Sequence, residues 1–258
     1  MSKVVLHFET FGEAHLQPLL ILHGFFASNR NWRHISKQLS DSYHVYSIDM
    51  RNHGASPHDP LMDYPSMALD LKGFIEDHGL TAVHLLGHSM GGKIAMWFAL
   101  HNPEQLRKLV VVDIAPVSYQ HSFDGLIDAL IELPLEQLSN RKQADEWLSK
   151  SIEDPSFRQF LLQNLVLVNG HYQWRINLNY FKQAGPAIIA FPELDSTLSY
   201  SKPMTVLAGE KSKYVDKAAV YRLFPSADIH EIADSGHWPN VEAPELFLAT
   251  VRTSLKQA

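Results

Sequence analysis

Short apolar runs alternate with helical patterns along most of this chain, and this alternation restricts the fold more than any other feature of the sequence. Several runs are apolar without interruption, which is typical of parallel strands covered on both faces. Between them, the apolar side chains of residues 65–78 share one helical face, and Gly79 follows as a stop. Another helix is predicted from Pro244 to the end of the chain. The predicted strands are VVLHFETF (4–11), LLILHG (19–24), HVYSID (44–49), AVHLLG (82–87), LVVVDIA (109–115), MTVLAG (204–209) and DIHEIA (228–233). The pattern predicts a doubly wound α/β sheet.

The alternation breaks between residues 118 and 200. Helical patterns lie around 123–131 and 141–151. The runs NLVLV and HYQWRI then flank Asn169-Gly170, a dipeptide suited to a two-residue hairpin turn. The whole stretch is too long for a structureless loop, since such connections rarely exceed about 15 residues.

The position of this stretch in the chain suggests a role. It leaves after the strand that ends at Asp113, on the edge of the sheet where α/β proteins place their sites. We therefore interpret residues 118–200 as an inserted cap, and residues 1–117 and 201–258 as the core domain. The alternative is a bulky side extension away from any site.

Composition excludes several classes of protein. The net charge of −6 gives no support for binding to nucleic acid or to an anionic membrane, which would favour concentrated Lys and Arg. The chain contains no cysteine, so disulfides, thiolate metal sites and cysteine nucleophiles are excluded. No apolar run approaches the ~20 residues that span a bilayer, and the stretch MSKVVLHFETFGEAH lacks the apolar segment of a signal peptide. We expect a soluble, cytoplasmic protein without membrane insertion, and the sequence does not indicate its oligomeric state.

A serine lies between two glycines where an apolar run passes into a helical pattern, in LLGHSMGGKIAMWFAL (85–100). Gly87, Ser89 and Gly91 fit G-x-S-x-G, in which a sharp strand-to-helix turn exposes the serine as a nucleophile. The glycines leave room for the turn, because a side chain at either position would collide with the neighbouring backbone. The alternative is an ordinary glycine-rich turn in which Ser89 caps the helix.

A nucleophilic serine requires a base and backbone N–H groups that stabilise an oxyanion. His237 is the candidate base among fifteen histidines, because it follows the last predicted strand, late in the order serine, acid, histidine. The oxyanion donors are expected to be the N–H of Met90, next to the serine, and the N–H of Phe25, after the strand that ends in His23-Gly24. His23-Gly24 would also serve as a plain tight turn before a helix, and the two roles are compatible.

Five segments together resemble the α/β-hydrolase superfamily, and most of all its YbfF-type bacterial esterases. They are LHGFFAS (22–28), IDMRNHGASP (48–57), GHSMGGK (87–93), VVDIAP (111–116) and SGHWPNVEAPE (235–245), and the resemblance covers nearly the whole chain. GHSMGG is shared by very many hydrolases, whereas DMRNHGASP together with VVDIAP is much narrower. The resemblance implies an α/β-hydrolase fold with a mainly helical cap, hydrolysis of esters or thioesters through an acyl-serine intermediate, and no cofactor.

Two carboxylates compete for the role of the acid that orients the histidine. Many superfamily members carry this acid three residues after the glycine that ends the penultimate strand, where this chain has Ser212. Asp113 ends the strand that follows the nucleophile strand. Because adjacent strands lie about 4.8 Å apart, its carboxylate can reach the histidine, and the similar YbfF-type esterases likewise use this aspartate. Glu210, one residue past Gly209, is the alternative, in which case Asp113 would bond only a turn backbone. We predict the triad Ser89, Asp113 and His237.

Asp49, Arg51 and His53, in DMRNHGASP, could form an acid–base set of their own. Because a complete set exists elsewhere, we interpret them as structural residues of a polar loop that holds the wall of the site, with Gly54 in a turn. No H-E-x-x-H or similar spacing is present, and the glycines around Ser89 do not form G-x-G-x-x-G. We therefore expect neither a catalytic metal nor a dinucleotide.

Phe26 and Trp238 flank the proposed catalytic residues in sequence and, with Phe25 and Met90, are predicted to line an apolar acyl pocket. Each could instead be a core residue, which is the usual place of an aromatic side chain. The predicted partner is a small-molecule acyl ester or thioester of small to medium size. Three other reactions of the same triad stay open, namely C–C bond hydrolysis, perhydrolysis and a lyase step, and so does a binding protein without catalysis.

Overall fold

A mostly parallel sheet organises the fold. The structure is a computed structural model that describes residues 3–256. Its strands are β1 (Phe8–Phe11), β2 (Pro18–Leu22), β3 (His44–Ile48), β4 (Val83–His88), β5 (Leu106–Val112), β6 (Leu165–Val168), β7 (His171–Trp174), β8 (Met204–Gly209) and β9 (Ala227–Ile232). Within the described range, seven of them form one sheet in the order β1-β3-β2-β4-β5-β8-β9. There β1 is antiparallel to β3 and the other pairs are parallel, which confirms the predicted fold class.

The described chain has core helices, which cover both faces of this sheet, and further helices in the segment between β5 and β8. They are α1 (Arg33–Leu39), α2 (Tyr64–Asp77), α3 (Met90–His101), α4 (Asp124–Ile131), α5 (Arg141–Leu148), α6 (Pro155–Leu162), α7 (Leu178–Ile189), α8 (Lys217–Leu223), α9 (Pro239–Glu242) and α10 (Pro244–Lys256). Leu20 and Leu22 of β2 belong to the apolar layer under α2 and α3, whereas Leu19 and Ile21 belong to the layer under α1 and α10. Burial on both faces is the reason that the strands are apolar without interruption.

The first strand is shorter than predicted. The sequence predicts a strand over residues 4–11, and β1 occupies Phe8–Phe11. The N–H groups of Val4 and His7 donate to side chains, at 2.9 Å to Asp70 and at 2.8 Å to Ser56. These two N–H groups therefore bond side chains of α2 and of the loop after β3 instead of a neighbouring strand, and the strand begins only at Phe8.

The helix signals in the sequence correspond to observed caps. The helix predicted over 65–78 is α2, whose N-cap Asp63 accepts a hydrogen bond from Ser66 N at 2.8 Å. Gly79 follows with φ 60°, a conformation that favours glycine and ends the helix. The last helix begins at Pro244 as predicted and is described as far as Lys256. Residues 1–2 and 257–258 of the predicted core lie outside the described residues.

The segment between β5 and β8 is folded, as its length predicts. In the described chain it contains α4 to α7 and the hairpin β6–β7, in which Asn169 and Gly170 have φ 50° and 84°, as a type I′ turn requires. The patterns around 123–131 and 141–151 correspond to α4 and α5. The helices α6 and α7 were not predicted, although the cap residues Asp154 and Asn177 precede them.

The two crossings between this segment and the core are bonded to each other. Tyr119 N donates to the Ile189 carbonyl at 3.1 Å, and Phe191 N donates to Ser118 Oγ at 3.2 Å. The segment therefore leaves and re-enters the core at one place. Among the helices of residues 3–256, none combines the length and the apolar character needed to cross a bilayer.

Candidate active site

Ser89 occupies a sharp turn between β4 and α3. Its φ of 53° and ψ of −116° form a conformation that costs a non-glycine residue about 1–3 kcal/mol. The turn is tightly closed, because a Cβ on Gly87 would collide with the Gly91 carbonyl oxygen and one on Gly91 with that of Leu22. The Ser89 side chain makes no capping hydrogen bond to α3 in the described structure, so the interpretation as a simple helix cap is wrong.

Three side chains are joined by hydrogen bonds at the carboxyl ends of the strands. His237 Nε2 lies 3.1 Å from Ser89 Oγ, and His237 Nδ1 lies 2.7 Å from Asp113 Oδ2. Because an ionised carboxylate only accepts hydrogen bonds, the Nδ1 proton is donated to Asp113, and Nε2 keeps its lone pair for the serine hydroxyl. The structure thus brings the residues of the predicted triad into the arrangement of a nucleophile, a base and an orienting acid.

The Asp113 carboxylate is completely buried directly after β5. Besides His237, it accepts hydrogen bonds from Gly209 N at 2.9 Å and from Ser212 Oγ at 2.5 Å. Asp113 therefore does bond a turn backbone, as the alternative proposed, and it holds the histidine as well. These hydrogen bonds offset the cost of burying the carboxylate and fix its orientation.

The loop after β8 contributes a hydroxyl to the site in place of a carboxylate. Ser212, at the position where the resemblance would place the acid, donates to Asp113. The alternative acid, Glu210, is exposed, and its carboxylate accepts a hydrogen bond from Asp234 N at 2.8 Å. Glu210 thus braces a surface turn, while Ser212 supports the aspartate of the neighbouring strand.

The loop that carries His237 is held from two sides. The Glu242 carboxylate of α9 accepts from Gly236 N at 2.7 Å and from Trp238 N at 3.1 Å. On the other side, His88 Nε2 donates to the His237 carbonyl oxygen at 2.7 Å. Burial lowers the pKa of His88 to about 3, so His88 stays neutral and adds no positive charge beside the triad.

The expected oxyanion donors lie next to the serine. Gly24 lets the loop after β2 lie close to the nucleophile turn, since a Cβ there would be 3.1 Å from His88 Nδ1, a tight contact, and 3.4 Å from Ser89 Cβ. Phe25 follows Gly24, and in the part of the chain that the structure describes no group accepts a hydrogen bond from its N–H. Met90 is the first residue of α3, where helical N–H groups have no partner within the helix. Both N–H groups are therefore available to a ligand at Ser89.

A cavity of about 920 Å³ is bordered by Ser89 and His237. Its aromatic walls come from the core (Phe25, Phe26 and Trp238) and from the inserted segment (Phe123, Phe157 and Phe160). Phe26 is also packed in the core, with 3% of its surface exposed, so it is both a wall residue and a core residue. Because residues of the inserted segment cover the face that holds Ser89, the cavity supports its interpretation as a cap.

The family of the chain follows from comparison with known proteins. The family described as the alpha/beta hydrolase fold matches residues 17–244. The chain belongs to the α/β-hydrolase family. It is 39% identical over 267 residues to the sn-1-specific diacylglycerol lipase ABHD11 of Danio rerio, which covers 99% of this chain and 84% of the relative. It is 32% identical over 244 residues to esterase YbfF of Escherichia coli K12, which covers 92% of each chain.

A solved structure described as a marine microorganism esterase superposes on this α/β-hydrolase with a TM-score of 0.93. The two chains are 36% identical, and the match covers 97% of this chain and 99% of the other. The resemblance to YbfF-type esterases is thereby confirmed. Relatives named as esterases and lipases support a hydrolase activity for the chain.

In this α/β-hydrolase the side chains of the polar loop after β3 make hydrogen bonds within the core. These contacts support the interpretation of Asp49 and Arg51 as structural residues. Asp49 accepts from Asn29 N at 2.7 Å and from Ala55 N at 2.9 Å. Arg51 forms a two-point ion pair with the buried Asp70 of α2, at 2.6 and 2.8 Å. Such a buried pair fixes the geometry of the loop. Removal of one partner lowers the free energy of unfolding by about 3–5 kcal/mol, because an unpaired buried charge is left behind.

Two buried histidines support the loop after β2, which carries Phe25. His23 Nε2 accepts from Met50 N at 3.0 Å, and His23 Nδ1 donates to the Gly24 carbonyl oxygen at 2.8 Å. The ring of His53 packs 5.8 Å from that of Phe25. Burial lowers the pKa of both histidines, so they serve as neutral packing and hydrogen-bonding groups.

Three polar residues of the hydrolase site were missed by sequence reasoning. The sequence excludes Ser212 as the acid of the triad, but its hydroxyl donates a hydrogen bond to that acid, Asp113. Glu242 lies five positions after His237, and no sequence pattern indicates that its carboxylate holds the loop of His237. Lys93 interrupts an otherwise apolar helix, and this interruption was the available signal that its side chain has a specific environment.

Proposed function

We propose that this hydrolase is a serine carboxylester or thioester hydrolase, which acts through an acyl-serine intermediate on small to medium acyl substrates. The observation that carries the proposal is the continuous hydrogen-bond chain from Ser89 through His237 to Asp113, at the wall of an apolar cavity. A binding protein without catalysis would not require a strained serine held against a histidine–aspartate pair.

The first half of the reaction forms the acyl-serine. Ser89 Oγ attacks the carbonyl carbon while His237 Nε2 takes the hydroxyl proton. Asp113, held by Gly209 N and Ser212 Oγ, stabilises the imidazolium that results. His237 then gives the proton to the departing alkoxide or thiolate, so the first product leaves as an alcohol or a thiol.

The second half releases the acid. A water molecule gives its proton to His237 Nε2 and attacks the acyl carbon, and the proton then returns to Ser89 Oγ. Both tetrahedral intermediates carry an oxyanion, for which Phe25 N and Met90 N are the proposed donors. Removal of one such donor typically costs about 3 kcal/mol of transition-state stabilisation.

The walls of the cavity support an acyl substrate of small to medium size. Aromatic side chains such as Phe26 and Trp238 offer an acyl chain apolar contact, with about 0.8 kcal/mol for each buried methylene group. The names of the relatives, a diacylglycerol lipase and esterases, support ester hydrolysis ahead of C–C bond cleavage, perhydrolysis or a lyase reaction.

A substrate panel tests the proposal directly. Purified protein is assayed with p-nitrophenyl esters from acetyl to dodecanoyl, and with acyl-CoA thioesters of the same chain lengths. We expect hydrolysis of the esters with saturation kinetics, and an acyl adduct on the peptide that contains Ser89 when the reaction is quenched early. A folded protein that hydrolyses none of these compounds and forms no adduct would contradict the proposal.

A cap substitution is expected to change chain-length preference more than reactivity. Phe160→Ala removes a wall residue of α6 that lies in the inserted segment, outside the triad. We expect kcat/KM for long esters to fall about 3- to 10-fold relative to a minimal acetyl ester, because long chains lose apolar contact. The matched control is Leu167→Ala in β6, since Leu167 is exposed and does not line the cavity. If the minimal ester and the long esters lost activity equally, the segment would not determine specificity.

A further inference from the structure

Lys93 is a buried cation in the wall of the cavity. It lies on α3 one helical turn after the serine, and Lys93 N donates to the Ser89 carbonyl oxygen at 3.0 Å. Only 1% of its surface is exposed, and it borders the same cavity as Ser89. Side chains on a helix tilt toward its amino terminus, so the Lys93 side chain is directed toward the end of α3 that begins at the serine.

The ammonium group of Lys93 has two of its three donors satisfied. Nζ donates to the carbonyl oxygens of Ile189 and Ala190, both at 2.8 Å, where α7 ends. It also lies 4.6 Å from the ring centre of Tyr119 and 5.6 Å from that of Tyr64. Within residues 3–256, no group accepts a hydrogen bond from the third donor. The third donor is therefore free to bind a ligand in the cavity that Lys93 borders.

No charge in the described protein neutralises this cation. Among residues 3–256, Lys93 forms no ion pair, and burial lowers its pKa to about 7 without a compensating carboxylate. The carboxylates of the cavity wall are engaged elsewhere: Asp154 caps α6, and Glu242 holds the His237 loop. A buried charge without a partner is costly, and an anion placed in the cavity would remove that cost.

We propose that Lys93 forms an anion subsite in the cavity, which binds a free carboxylate on the substrate. The preferred substrates would then carry a carboxylate in addition to the ester bond that Ser89 attacks, as in half-esters of dicarboxylic acids. This inference rests on the proposed ester hydrolysis and adds a substrate class to it. The Lys93 ammonium supplies a charge-assisted hydrogen bond, and the apolar walls accommodate the methylene chain between the two ends.

The protonation of Lys93 gives the subsite a pH dependence with a definite sign. Below a pH of about 7 the amine is charged and attracts a carboxylate, and as the pH rises above this value the attraction is lost. The ratio of kcat/KM for a half-ester to that for a neutral ester should therefore fall with rising pH, while the triad contributes equally to both. The groups near Lys93 are Tyr64 of α2, Tyr119 and His121 of the inserted segment, and the two carbonyl groups at the end of α7. His237 borders the same cavity.

The test compares charged and neutral esters in matched variants. The charged substrates are the monoethyl esters of succinate, adipate and suberate, with ω-acetoxyhexanoate as the probe whose carboxylate lies on the alcohol part. Ethyl heptanoate is the neutral reference. We expect the wild type to prefer one of the charged esters, and Lys93→Met to lower the charged-to-neutral ratio of kcat/KM about 10- to 100-fold. Lys93→Arg, which keeps the charge, should retain most of the ratio.

A second variant separates recognition from anchoring of the cap. The Tyr64 hydroxyl donates to the Ile188 carbonyl at 2.5 Å, so Tyr64→Phe also loosens the end of α7 but leaves the cation in place. We expect Tyr64→Phe to change both classes of ester equally. If Lys93→Met did the same, Lys93 would be an anchor for α7 and the subsite would be refuted.

A measurement on the unmodified protein covers the case in which Lys93→Met does not fold. Adipate is tested as a competitive inhibitor of ethyl heptanoate hydrolysis from about pH 6 to about pH 9, with the neutral diamide adipamide as the control. The subsite predicts inhibition by adipate that weakens as the pH rises above about 7. Inhibition that is absent or independent of pH would overturn it. Hydrolysis of ethyl heptanoate that requires Ser89 would leave the proposed function intact even then.

Discussion

Ser89→Ala is expected to lower ester turnover by roughly 10⁴- to 10⁶-fold while the protein stays folded. The substitution removes the oxygen that forms the acyl bond, and His237 then has no hydroxyl to activate. Alanine and serine have similar backbone requirements at φ 53°, so the strain of the turn is unchanged. The residual rate would come from the oxyanion donors and from substrate binding.

The Ser89 prediction is checked by turnover and by covalent labelling. A fluorophosphonate should label the wild type on the peptide that contains Ser89 and should leave the alanine variant unlabelled. Ser196→Ala is a suitable control, because Ser196 is an exposed serine of the segment between α7 and β8. Melting curves for the three proteins establish that each is folded. Near-normal turnover in a folded Ser89→Ala protein would end the acyl-serine mechanism.

Asp113→Asn is expected to reduce turnover by roughly 10³- to 10⁴-fold with little change in shape. Gly209 N donates to Oδ1, so the asparagine oxygen would take that position and its NH₂ group would face His237. An NH₂ group cannot accept a hydrogen bond from Nδ1–H. The imidazole would therefore place its proton on Nε2, where it can no longer receive the Ser89 proton.

Glu210→Gln is the matched comparison for the acid. It makes the same change from carboxylate to amide two residues before Ser212, at a position where the carboxylate bonds Asp234 N. We expect turnover to stay within about 3-fold of the wild type, because the substitution only replaces a charged acceptor in a surface turn by a neutral one. A severe loss in Glu210→Gln together with an active Asp113→Asn protein would reverse the assignment and make Glu210 the acid.

Features that depend on local pattern were predictable from the sequence. Strands such as β4 and β5 are covered on both faces, and this covering leaves an uninterrupted apolar signature. The glycines around Ser89 report a turn that a side chain would block, so the strained conformation could be anticipated. The meeting of Ser89 and Asp113 followed from the adjacency of their strands, which the resemblance supplied.

Features that depend on distant partners were not predictable. Residues 4–7 have a strand-like composition, but their backbone donors are satisfied by Asp70 and Ser56, which lie 66 and 49 positions away along the chain. The Ser212 hydroxyl acts only because Asp113 of another strand is within reach. A lysine in an apolar helix indicates a special environment, but the carbonyl groups that surround Lys93 come from α7, nearly a hundred residues later. Such pairings are properties of the folded chain and have no local signature.

The bonds between Tyr119 and Ile189 and between Ser118 and Phe191 make the inserted segment a closed loop with a fixed neck. Both ends of the segment join the core at this neck, and the free energy of closing a loop rises only slowly with its length. The segment can therefore lengthen, shorten or be exchanged in evolution without displacing Ser89, Asp113 or His237. In the proposed mechanism the residues that react lie outside this loop, so the walls that the inserted segment adds to the cavity can change while the reaction stays the same.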